Sequence, residues 1–137
     1  MSYNVSESIR YFDDFLIYFG VALLLLFAFT FIYIKVTPYR ELVLIRAGNK
    51  AAAISLSGAM LGFAMPLAST VVNAVNLIDL MLFAVLATVV QLVAFVFVRM
   101  LMPNLTADIE GGEVAGATFL AAVSVSVGML NAAALVY

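Results

Sequence analysis

The 137-residue chain has no cysteine and no histidine. Without thiols there are no disulfides and no zinc–thiolate or thiolate–haem sites, and without imidazole there is no histidine ligand or general base. Charge is scarce as well: six basic and eight acidic residues make up 10% of the chain, where a soluble domain carries nearer a quarter. The net charge of −2 argues against a nucleic-acid partner. Hydrophobic residues account for 66%, and a chain this short cannot enclose that much apolar material in one water-soluble core. Soluble and disordered classes are therefore excluded, which leaves a single-domain, all-α integral membrane protein.

A bilayer core takes about 20 predominantly apolar residues per helix. Four runs qualify: residues 15–34, 51–72, 80–98 and 114–136. Barrel strands would alternate apolar with polar positions, and residues 21–29 do not. The first run follows Glu7, Asp13 and Asp14, with Arg10 as the lone base. It is too long for a signal-peptide core and no small-x-small cleavage site follows, so it reads as a retained helix behind a tail of residues 1–14. Lys35, Arg40, Arg46 and Lys50 lie between the first two runs and Arg99 follows the third, whereas Arg10 is the one base on the opposite side. The excess of bases predicts that these two connections are cytoplasmic and that both termini face outward.

The two connections share a grammar. In the first, Thr37-Pro38 predicts the cap and first turn of a short helix, Glu41 suits its positive end, and residues 39–47 carry enough apolar side chains to lie on the membrane interface. Gly48 stops it, and Asn49 is placed to cap the second span. In the second, Arg99 is followed by Pro103-Asn104, a short segment, and the break at Gly111-Gly112. A shift of 64 residues pairs Lys35 with Arg99, Gly48 with Gly112 and Ala51 with Ala115. The chain thus reads as two similar helical hairpins, with half-repeats 17–73 and 81–137 and a pseudo-twofold axis along the membrane normal. The first connection sums to +3 and the second to −2. Arg46 or Lys50 docked on Asp108, Glu110 or Glu113 is one expectation; independent solvated charges at headgroup level is the other.

Helices associate in lipid by close packing and interhelical hydrogen bonds. Ala51, Ser55, Gly58 and Gly62 recur at helical spacing on the second span, and Ala117, Ala121, Ser124 and Gly128 on the fourth. These small faces place spans two and four at the centre, with one and three toward lipid. Pro66 removes a backbone donor and predicts that the helix kinks or ends early, freeing the Gly62 carbonyl, with residues 66–79 as an irregular outer cap. No ionisable side chain lies mid-span, where pumps and proton relays normally need one. The intramembrane polar groups are Thr88, Gln91, Ser126 and Asn131. Gln91 reads either as an interhelical hydrogen bond or, with Thr88, Ser124 and Ser126, as the lining of a polar path. Asn131 is expected to bond the backbone freed by Pro66, or Asn73. Asp13-Asp14 reads as an interfacial stop, and Asp108, Glu110 and Glu113 as solvated acids. No metal or other cofactor is implied, and without a nucleophile–base pair an enzyme is not expected.

Several stretches, in this order and spacing, resemble a known family. They are Ile34-Lys35-Val36-Thr37-Pro38 with Glu41; Gly48-Asn49 before Ala51-Ala52-Ala53; Ser57-Gly58 through Leu61-Gly62-Phe63 to Pro66-Leu67-Ala68-Ser69; Asn73-Ala74-Val75; Gln91-Leu92; Arg99 through Pro103; and Asn131-Ala132-Ala133. They cover nearly all of the chain beyond its first ten residues and resemble the YjfL-like domain-of-unknown-function family three-fifty, although the acidic second connection departs from it. The resemblance implies a four-helix protein of the bacterial inner membrane, associated with membrane maintenance or stress, with no attached activity. The expected role is a non-catalytic protein that forms a homo-oligomer or supports a membrane-protein partner. It would work through the small-residue face of spans two and four or the Lys35, Arg40, Arg46 and Lys50 loop, which also attracts anionic membrane lipids. The alternative is an oligomeric channel or carrier for a small solute, with a polar path past Gln91.

Overall fold

The computed structural model describes residues 5–73 and 76–135. Ala74 and Val75 of the family-like stretches, and Val136 at the end of the fourth apolar run, lie outside that description. Four long helices are each long and apolar enough to cross a membrane: α1 (Val5–Val36), α3 (Lys50–Asn73), α4 (Leu77–Leu101) and α6 (Val114–Ala134). Two six-residue helices, α2 (Glu41–Arg46) and α5 (Leu105–Glu110), join α1 to α3 and α4 to α6. Both short helices sit at one end of the bundle, the loop end, and there are no strands among the described residues.

α1 starts ahead of its apolar run, so the expected tail is helical from Val5. Glu7 in its first turn complements the positive helix end, and neither glycine nor proline interrupts residues 5–19. The short helix of the first connection begins later than Thr37-Pro38 suggests. The Thr37 amide donates to the Tyr33 carbonyl at 3.0 Å, which makes Thr37 the last turn of α1, and α2 opens at Glu41 without a side-chain cap.

Both connections end in the same Schellman turn. Gly48 (φ +88°) and Gly112 (φ +82°) take the left-handed conformation that an L side chain resists. The Gly48 amide donates to Ile45 and the Asn49 amide to Leu44, while the Gly112 amide donates to Ile109 and the Glu113 amide to Asp108. A shift of 64 residues superimposes these bonds and carries α2 onto α5 and the start of α3 onto that of α6.

α3 does not break at Pro66 and runs on to Asn73, and α4 begins at Leu77, so among the described residues the expected irregular cap over 66–79 is replaced by helix on both sides. The Asn76 side chain caps α4 by accepting from the Asp79 amide at 3.0 Å. The carbonyl that Pro66 leaves without a helical donor, that of Gly62, is covered instead by Gly128 on α6. A Cβ added at Gly128 would lie 2.6 Å from Gly62 Cα and closer still to the Gly62 oxygen.

α3 and α6 run parallel and share the most extensive interface, and α3 also packs on α4 and, less closely, on α1. α4 is more central than its bulky sequence suggests: small Ala84, Ala87 and Ala94, interleaved with Leu80, Gln91 and Val98, give it a buried stripe. α1 buries two residues, Phe29 and Tyr33. Phe29 stacks on Phe63 of α3 with centroids 4.3 Å apart, and Tyr33 meets Phe95 of α4 edge-on at 5.9 Å. Tyr18, Val21, Leu25, Leu26 and Ile34 are half-buried against the core, and the other large side chains of α1 are exposed, which suits a helix facing lipid.

Candidate functional site at the loop end of the bundle

α2 lies on α3 and turns its first residue inward, so Glu41 has no exposed surface. Thr37 is buried beside it, and its hydroxyl, with one proton to donate, is within bonding reach of the Glu41 carboxylate and of the Ile34 carbonyl 3.2 Å away. The second carboxylate oxygen of Glu41 has no partner. The buried hydroxyls of Tyr33 and Tyr39 are also without hydrogen bonds. Tyr39 packs on the Phe95 ring at 6.3 Å and faces Ser55 without reaching bonding geometry. Among the described residues no basic side chain pairs with the carboxyl. Burial raises the Glu41 pKa, and the bonds from Thr37 and the α2 backbone only partly oppose it. Burial, with Glu41 nearby, also holds the Tyr39 phenol above its ordinary range. Beside this cluster lies a cavity of about 400 Å³ whose walls include Thr37, Tyr39 and Glu41 together with Lys35 and Arg40. Both bases are exposed, and the Lys35 ammonium rests 5.3 Å from the Phe31 ring centre.

Deeper in the membrane, the small faces of α3 and α6 meet. Ala51, Ser55, Gly58, Gly62, Ala117, Ser124 and Gly128 are buried and Ala121 is half-buried. A Cβ at Gly58 would lie 2.5 Å from Ala121 Cα, and one at Gly62 would lie 2.6 Å from Gln91 Nε2 and closer to the Ser124 carbonyl. Gln91, fully enclosed, donates to that Ser124 carbonyl at 3.0 Å. Its own oxygen and the Ser124 hydroxyl have no partners. The remaining polar groups do not converge on it. Thr88 bonds back to the Ala84 carbonyl at 2.9 Å, and Ser126 is exposed on the outside of α6. Asn131 does not reach the backbone near Pro66 or Asn73: its amide nitrogen is buried and unpaired. At that level the link is made by Ser69, whose hydroxyl donates to the Ala132 carbonyl at 3.1 Å, while the Asn73 amide turns back to Ser69 at 2.9 Å.

The two connections dock, but not through charge. Asn49 donates to the Ile109 carbonyl at 2.7 Å and to that of Glu110 at 3.3 Å, and its oxygen caps α3 by accepting from the Ala52 amide at 3.0 Å. Arg46 and Lys50 are exposed and make no ion pair with Asp108, Glu110 or Glu113 among the described residues. A neutral amide reaches the facing backbone, whereas the long basic side chains gain more from water.

The family model described as Domain of Unknown Function (DUF350) matches residues 5–135. The chain belongs to the DUF350 family. It is 36% identical over 120 residues to the UPF0719 inner membrane protein YjfL of Escherichia coli K12, covering 88% of this chain and 91% of that protein. The YjfL of Escherichia coli O157:H7 matches to the same extent. No solved structure matches.

In this DUF350 protein the Glu41 cluster escaped residue-by-residue reading. Glu41 stood out as an acid near a helix start and as a companion of the family-like stretch ending at Pro38. The available signal was its i, i+4 spacing from Thr37, itself flanked by Tyr33 and Tyr39, in a segment otherwise apolar enough to be buried. What the spacing does not carry is the fold of α2 against α3, which removes the carboxyl from water.

Proposed function

We propose that this DUF350 protein is a non-catalytic inner-membrane protein that acts as a homo-oligomer, with α2 and α5 on the cytoplasmic side and both termini outside. The observation that carries this reading is an uncovered face. α4 lies against the parallel α3–α6 pair on one side, and α1 packs on α3 and α4, away from α6. The opposite side of the pair is left as a shallow apolar groove, lined by Ala53, Ser57, Gly58, Thr118, Ala121 and Ala122 among others. Small side chains on such a face let a second backbone approach closely, the main source of affinity between helices in lipid. A second copy placing the same groove against this one about a twofold axis along the membrane normal closes the assembly. The orientation rests on the distribution of basic residues, and the exposed bases attract anionic lipids at the cytoplasmic surface. The matched turns at Gly48 and Gly112 support reading the halves 17–73 and 81–137 as copies of one hairpin.

A polar conduit past Gln91 is not favoured, because Thr88 is self-bonded and Ser126 faces outward. The test is the mass of the full-length chain in lipid nanodiscs. A dimer or higher closed oligomer is expected, and a single copy across the accessible concentration range contradicts the reading.

A further inference from the structure

We propose that the cavity at the end of α1 holds the headgroup of a phospholipid bearing a primary amine, with the ammonium at Glu41 and the phosphate at Lys35 and Arg40. Three observations converge. The cavity pairs two exposed cations with one buried acid, the charge pattern of a zwitterion rather than of an anion. Two buried oxygens on residues that line it, Glu41 Oε2 and the Tyr39 hydroxyl, lack partners, and a primary ammonium brings N–H donors for both. A buried carboxylate without a counter-charge is costly, and a cation that donates hydrogen bonds to it removes that cost.

The source is a lipid rather than a soluble headgroup. The cavity sits where α1 leaves the apolar layer, and Ile34, Leu42 and Val43 line it beside the charged groups, so acyl chains remain in lipid while the headgroup enters. Glu41 itself has no exposed surface, so the amine has to displace the Thr37 hydroxyl, which already has a second acceptor in the Ile34 carbonyl.

The full-length protein is delipidated in detergent and offered equal amounts of phosphatidylethanolamine, its N-methyl and N,N-dimethyl forms, phosphatidylcholine and phosphatidylglycerol. Retained lipid is then counted by native mass spectrometry. The ethanolamine lipid is expected to exceed the choline lipid about tenfold, the order that loss of a charge-assisted hydrogen bond gives, with a stepwise fall as each methyl removes a donor. Glu41→Gln should lower ethanolamine-lipid retention to the choline level, and Arg40→Gln should weaken both lipids alike. Equal retention across the methyl series, or preferential retention of phosphatidylglycerol, overturns the proposal. So does displacement of the lipid by equimolar soluble phosphoethanolamine, which would make the headgroup alone the ligand. The methyl series uses the wild-type chain, so it decides the matter even if Glu41→Gln fails to fold.

Discussion

Gly62 shows how much one absent side chain decides here. It lets the Ser124 carbonyl and the Gln91 amide approach the α3 backbone, and its own carbonyl, left without a helical donor by Pro66, is covered by Gly128. Alanine at Gly62 or Gly128 should therefore destabilise the protein by roughly 1–3 kcal/mol through overpacking, read as lower thermal stability in detergent. Alanine at Gly20, where an added Cβ meets nothing within 4 Å, should be neutral or mildly stabilising, since glycine is poor in helices. Glu41 gives a pH signature. Burial raises its folded-state pKa above 4.5, so as pH rises the unfolded chain loses this proton first. The contribution of Glu41 is fully retained below the unfolded value and falls away as pH climbs through the folded one. Stability followed by thermal melts should decline over that interval, and Glu41→Gln should remove the decline. A wild-type profile that rises with pH across the interval would contradict the burial argument.

The connecting elements are built from local backbone rules, which is why so much of them was legible in the sequence. Gly48 and Gly111-Gly112 announced helix stops, and Asn49 announced a helix cap, because these roles depend on neighbours a few residues away. The second task of Asn49, clasping the Ile109 and Glu110 carbonyls sixty residues on, is set by tertiary contact and has no local signature. The same holds for the buried stripe of α4 and for Glu41. Pro66 was legible as a lost hydrogen bond but not as a helix that continues, because the compensating surface belongs to α6. Asn49→Ala should cost about 0.5–2 kcal/mol from the cap alone. Asn49→Asp keeps a cap acceptor and loses both donors to α5. Faster amide exchange in α5 for both variants, with α3's first turn loosened only by alanine, would separate the two roles; unchanged exchange in α5 would rule out the clasp.

For the whole molecule, composition excluded everything but a membrane protein, and hydropathy located the four spans. The way they pack came from the small faces of α3 and α6 and from the stripe on α4. Five bases near the loop end, against Arg10 at the other, predict that a periplasm-active reporter fused to the C-terminus is active and one fused within the first connection is silent. The groove beside Ser57 and Thr118 is the larger consequence. Since the chain has no native cysteine, single substitutions report contacts without background. Oxidation of membrane vesicles carrying Thr118→Cys should yield disulfide-linked dimers, whereas Val96→Cys, exposed on α4 and outside that groove, should remain monomeric. Dimers from Val96→Cys with none from Thr118→Cys would contradict self-association through the α3–α6 groove.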